Sequence, residues 1–180
     1  MISTGTMVAT AHAWRGDEDF WRVRTLLVET YPLTPLGFNW DVRRWDGHRF
    51  YNASPAPNPA WPAAHRVWET RERRVVGAAH LAGEGELHLQ LHPDFRHLEE
   101  EMVAWAEDAL TARSPKGGPL DLVTYVYDDD RARQQLLARL GYGDEQGDWG
   151  MSRRPPLSSP IPPAPSPGAG RCRMSVPYPP

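Results

Sequence analysis

Three strand-like segments follow one another almost without interruption between His65 and His92, and they limit the folds open to the chain more than any other feature. "HRVWET", "VVGAAHLAG" and "GELHLQLH" carry β-branched or alternating residues, with the charged turn "RERR" and glycines at the bends. Links this short join antiparallel neighbours, because a parallel pair needs a crossover of a dozen or more residues. The spacing therefore predicts a three-stranded antiparallel meander.

The flanks supply the rest of the fold. Met7 to Trp14 alternates weakly and predicts a first strand. From Asp17, read as an N-cap, Phe20, Val23, Leu27 and Tyr31 recur at helical spacing until Pro32 and Pro35 stop the run. The stretch from Gly37 to Trp61 sets Trp40, Trp45, Phe50, Tyr51 and Trp61 among turn formers, which predicts a short helix and then a proline-rich loop. Those aromatics either line a pocket or staple the loop to the core, and stapling is the favoured reading. After the meander, "HLEEEMVAWAEDALTAR" puts Leu98, Met102, Trp105 and Ala109 on one helical face and Glu100, Glu107 and Asp108 on the other. "LDLVTYVYD" then reads as a strand, "DDRARQQLLARLGY" as a helix ending at Gly141, and "DWGMSRR" as a last strand.

Composition changes abruptly near Arg154, beyond which prolines without amide donors dominate and no periodic apolar face continues. Residues 1–154 are thus expected to be the domain and residues 155–180 an extended or disordered tail. With 180 residues and 40% hydrophobic content, one domain with one core is the expectation. A net charge of −3 and a pI near 6.2 argue against nucleic acid or an acidic membrane surface as partner. The single cysteine, Cys172, excludes a disulfide framework and a thiolate metal site, and a reducing, cytoplasmic setting fits. The first residues lack the pattern of a secretory signal, and no segment reaches the apolar length of a membrane span.

The order strand, helix, meander, helix, strand, helix, strand resembles the GNAT superfamily of acyl-coenzyme A dependent N-acyltransferases. Two motifs carry the likeness. "LHPDFRH" at Leu91 to His97 is similar to the superfamily's strand-to-helix signature, and "DDDRARQQLLARLGY" at Asp128 to Tyr142 is similar to the helix that ends in its Leu-Gly-Phe segment. The resemblance implies an α/β (α+β) fold with a mixed, mostly antiparallel sheet and helices on both faces. It implies acetyl-CoA as cosubstrate and a small-molecule or peptide amine as acceptor, with no metal. Leu91, His92, Arg96, His97, Leu98 and Glu99 match the cofactor-binding positions and Glu86 the catalytic base, while His88, on the same strand face, is an alternative base because an imidazole needs no unusual pKa to accept a proton near neutral pH.

The sequence departs from that pattern at two points. Where the family has a glycine-rich loop whose amides cradle a diphosphate, this chain has His97, Leu98 and Glu99 and is about two residues shorter. A glutamate facing a diphosphate at about 5 Å would be repelled by about 3 kcal/mol per charge pair. The same glutamates turned along the first helical turn would each gain roughly 0.3 to 1 kcal/mol from the helix dipole. The position of the family's thiolate-protonating tyrosine is Leu137 here, with Tyr125 and Tyr127 nearby on the preceding strand.

Scattered histidines, including His88 and His92 on one strand, give no metal-ligand spacing, and "DDD" at Asp128 to Asp130 reads as a helix cap and not a calcium loop. Some members of the superfamily carry two such domains joined by a proline-rich connector, which the tail resembles. A homodimer or a second GNAT-like domain are the partner arrangements this leaves open. Two functions therefore stand: N-acetyl transfer from acetyl-CoA to an amine, or a catalytically degenerate domain of the same fold with a structural, partner-binding or ligand-binding role.

Overall fold

The computed structural model describes residues 7–51, 60–82, 85–113 and 122–143, with the backbone alone at 110–113. These fall within the first of two compact units, Met1–Gly143. The second unit lies outside the described residues, and with it the strand expected at "DWGMSRR" and the proline-rich tail.

Five strands form one sheet in sequence order. β1 (Ala9–Ala13), β2 (His65–Thr70), β3 (Val75–Ala82) and β4 (Glu86–Leu91) pair antiparallel, and β5 (Val123–Thr124) joins β4 in parallel. The meander stands as its alternation predicts, with His65 opposite His80 and His80 opposite His88 across the ladders. β5 is far shorter than "LDLVTYVYD" suggests. It pairs only through Glu86 with Val123 and Leu87 with Thr124, after which β4 continues without it.

Helices cover the sheet on its two faces. α1 (Asp17–Thr30) packs on β3 and β4, with α2 (Val42–Phe50) beside it and the short α3 (Trp61–Ala64) leading into β2. Gly16, at φ 77°, precedes α1 where Asp17 was expected as the cap; Asp17 is the first helical residue, and Asp19 accepts from the Arg15 amide instead. A 3₁₀ helix (Pro93–Leu98) runs into α4 (Glu99–Arg113), which packs on β3 and β4, and α5 (Arg131–Arg139) follows β5. An added Cβ at Gly77 would meet the Leu91 side chain of β4 at 3.2 Å, so the glycine leaves room for that leucine on the neighbouring strand. Asp130 caps α5 by accepting from the Arg133 amide, which is the role expected of the aspartate run.

Strand alternation sorts the core into two clusters. Leu87, Leu89 and Leu91 face Met102, Val103 and Leu137, whereas Val67 and Ala78 face Phe20, Val23, Trp45 and Trp61. Trp45 and Trp61 are stapled into the core as expected. Phe50 and Tyr51 are not, at 55% and 74% exposed. The protein is thus an α+β fold with a mostly antiparallel sheet, and among the described residues no helix is long and apolar enough to cross a membrane.

Candidate functional site

Leu91 is the last residue of β4, and its peptide group points away from β3, because the next amide, His92, takes the β3 bond to the Val76 carbonyl. With β5 already ended, both polar groups of Leu91 need another partner. Asn39, from the segment between α1 and α2, supplies it. The Leu91 amide donates to Asn39 Oδ1 at 2.7 Å, and Asn39 Nδ2 donates to the Leu91 carbonyl at 2.9 Å. The same Nδ2 reaches Thr30 Oγ1 at 2.9 Å, and the buried Thr30 hydroxyl passes its own proton to the Leu26 carbonyl at 2.8 Å. One side-chain amide therefore occupies the strand edge as a peptide would. The strand end expected to hold an acyl carrier is bonded to the chain itself.

The strand-to-helix junction is equally filled. In place of an open loop, Pro93–Leu98 is wound into 3₁₀ turns that kink at Phe95, with His92 as N-cap, its Nδ1 accepting from the Asp94 amide at 3.3 Å. The Phe95 amide donates to the His92 carbonyl and the Glu99 amide to that of Arg96. The amides of Asp94, Phe95 and Glu99 are thus bonded within the junction and not presented to an anion as a glycine-rich loop would present them. Leu98 is buried in the core, and exposed His97 reaches the Met7 carbonyl through Nε2 at 3.0 Å.

Glu99 turns inward. At 2% exposure it accepts from Arg96 Nε at 2.9 Å and from Arg133 Nε at 3.1 Å, and Arg96 also grips both oxygens of Asp130 at 2.7 and 2.9 Å. Two carboxylates and two guanidiniums neutralise one another, and both guanidiniums lie over the Phe38 ring. The three consecutive glutamates thus part ways. Glu100 pairs with Arg139, Glu101 accepts from the Trp68 indole at 2.9 Å, and Glu99 anchors α5.

Among the candidate bases, Glu86 and His88 share a face, with His88 Nε2 3.5 Å from the Glu86 carboxylate. Glu86 is 45% exposed at its side chain, while His88 is buried against Trp40 and His80, with the Tyr125 ring stacked on it. Burial, followed by the nearby Arg44 and His48, lowers the His88 pKa to about 3. So weakly basic an imidazole is poorly matched to taking a proton from an ammonium near neutral pH. Leu137 is packed in the core, and Tyr127 packs on Gly37, whose φ of 88° and missing Cβ make room for the phenol ring.

A cleft of about 420 Å³ opens beside Asn39, lined by residues that include Tyr31, Leu36, Trp40, Arg44 and Tyr127. Its wall at Trp40 leads to a second group, one without any regular spacing along the chain. His48 on α2, His65 at the start of β2 and His80 on β3 each bring a ring nitrogen within 4.8 Å of the others'. Trp40, Trp45 and Trp61 surround them. Burial is the main cause that lowers the pKa of His48, with Arg44 second, and burial likewise drives His80 well below its ordinary value. Only the register of β2 on β3 and the placing of α2 over them bring residues 48, 65 and 80 together. Compared with models of known protein families and with curated protein sequences, the chain matches none.

Proposed function

We propose that this chain is a GNAT-like domain that does not transfer acetyl groups as folded, and that it serves as a structural or ligand- and partner-binding unit. The observation that carries this reading is the paired hydrogen bonding of Asn39 to Leu91, which uses the backbone groups a pantetheine arm would need. Three others agree with it: the Asp94, Phe95 and Glu99 amides are bonded within the junction, the tyrosine position is a core leucine, and His88 is a very weak base. The earlier objection from acidity falls away, because Glu99 is neutralised by Arg96 and Arg133 and does not face a ligand. Occupancy, not charge, closes the groove.

A second reading keeps the enzyme, an N-acetyltransferase moving acetyl from acetyl-CoA to a small-molecule or peptide amine. It is favoured by the early end of β4–β5 pairing and by the cleft beside Asn39. In that reading Asn39 rotates away when the carrier arrives, the Leu91 amide takes over the arm, and half-exposed Glu86 accepts the ammonium proton. The reaction itself separates the two. Acetyl-CoA is incubated with the full chain and a panel of primary amines, and free thiol is followed with a thiol reagent. The first reading expects release at the uncatalysed rate for every amine, and protein-dependent, amine-dependent release would establish the second.

A further inference from the structure

Buried polar atoms are nearly always paired, so those without a partner mark places where something is missing from the protein alone. His48 Nε2 and His80 Nδ1 are both buried and reach no hydrogen-bonding atom of the chain. The third histidine of the group is already oriented. His65 Nδ1 lies 2.9 Å from the Trp61 carbonyl, which fixes the proton on that nitrogen and leaves the lone pair on Nε2. Donation of one ring N–H to a backbone carbonyl while the other nitrogen looks inward is the usual bearing of a metal-bound imidazole.

We propose that His48, His65 and His80 form a site for one borderline divalent transition-metal ion, with Zn²⁺ and Co²⁺ as its representatives. Imidazole donors in an aromatic shell suit such ions and not calcium or magnesium, which take oxygen. Bonds of about 2.0 to 2.1 Å in a tetrahedral arrangement place ligand nitrogens about 3.4 Å apart. The three atoms, now within 4.8 Å of one another, must therefore draw together, and ring rotation on three separate elements provides that movement. Water or a small anion completes the coordination.

The surroundings of His80 add a condition that an adventitious site would not have. Gln90 Oε1 accepts from the Trp40 amide at 2.8 Å, so its Nε2 is the atom facing His80 Nε2 at 3.2 Å. That amide donates to His80 Nε2 and holds the ring proton on Nδ1, the atom left without a partner. Coordination through Nδ1 moves this proton to Nε2, with none released overall, and the Gln90 amide must then turn its oxygen toward His80. The Trp40 amide loses its acceptor when that happens. A carboxylate at position 90 would accept from Trp40 and His80 together and remove the conflict.

The test uses the full, untagged chain, titrated with Co²⁺ and followed by visible absorption, then back-titrated with Zn²⁺. One equivalent of Co²⁺ with the intense ligand-field bands of a tetrahedral site, displaced by Zn²⁺, is expected. His48→Ala, which removes a ligand from the least buried of the three elements, should weaken binding by at least about tenfold, and Gln90→Glu should tighten it by about tenfold. His12→Gln, far from the cluster in sequence and paired with Asp19 and Glu69, should leave it unchanged. Absence of a stoichiometric tetrahedral spectrum in the parent chain overturns the proposal. So does a spectrum indifferent to His48→Ala, or a Gln90→Glu variant that binds no more tightly while its circular dichroism shows it folded.

Discussion

The strand-to-helix junction follows β4 and the histidine cluster draws on its neighbours β3 and β2 with α2, yet the two treat their polar atoms in opposite ways. At the junction Glu99 and Asp130 meet Arg96 and Arg133, Asn39 meets both groups of Leu91, and the Asp94, Phe95 and Glu99 amides bond within it. At the cluster His48 Nε2 and His80 Nδ1, and beside it His88 Nε2, are buried without a hydrogen-bond partner. A saturated region gains nothing from a ligand and would lose bonds in admitting one. An unsaturated one keeps a standing desolvation cost that a bound species can relieve. The place where the sequence most resembles a cofactor site is therefore the less receptive of the two.

Breaking the junction from inside should cost the most. Glu99→Ala strands Arg133, whose other carboxylate contact is 3.9 Å away at Asp130, and should lower stability by about 3 to 5 kcal/mol in urea unfolding. Glu100→Ala is the matched control. Its pair with Arg139 is exposed on both sides, so a loss of at most about 1 kcal/mol is expected. Equal losses for the two would erase the contrast between inward and outward glutamates.

Acid sharpens the comparison from the other side. His88 has a folded pKa near 3, below its unfolded value, so the unfolded chain binds the extra proton between the two. The stability tied to its neutral form is complete above about pH 6.5 and is lost as pH falls through that window, by up to about 1.4 kcal/mol per unit. His80, shifted the same way, adds to the slope. The Glu86 carboxylate opposes the effect, while Arg44 and His48 reinforce it; the His80 and Tyr125 rings pack against the imidazole. Urea midpoints measured with a chelator should drop between pH 7 and pH 5, and a flat profile would mean that the imidazoles are solvated.

Smaller effects probe the plug. Asn39→Ala leaves the Leu91 amide and carbonyl to water and should cost about 1 to 3 kcal/mol. Gly37→Ala puts a Cβ at positive φ against the Tyr127 ring and should cost about 1 to 2 kcal/mol, with loss of the Tyr127 packing visible in near-ultraviolet circular dichroism.

The regular parts of this fold were readable because they are local. Alternation along 65–91 specified the meander, the spacing of Leu98, Met102 and Ala109 specified the inner face of α4, and Asp130 lies where α5 needs a cap. What was not readable depends on partners far along the chain. Three adjacent glutamates look alike in sequence, and Glu99 is the one turned inward to Arg96 and to Arg133, which α5 contributes from 34 residues on. The run "LDLVTYVYD" has strand character, but a strand needs an edge to pair with, and Asn39 already holds the edge at Leu91. The histidines at 48, 65 and 80 have no spacing that signals a common site, because a helix and two paired strands bring them together.

Calorimetric titration of the full chain with acetyl-CoA tests the central claim, that the chain's own Asn39 closes the carrier groove. No saturable heat is expected up to millimolar ligand. Saturable one-to-one binding by the unaltered chain would contradict it, since the Leu91 peptide cannot bond Asn39 and a pantetheine arm through the same atoms.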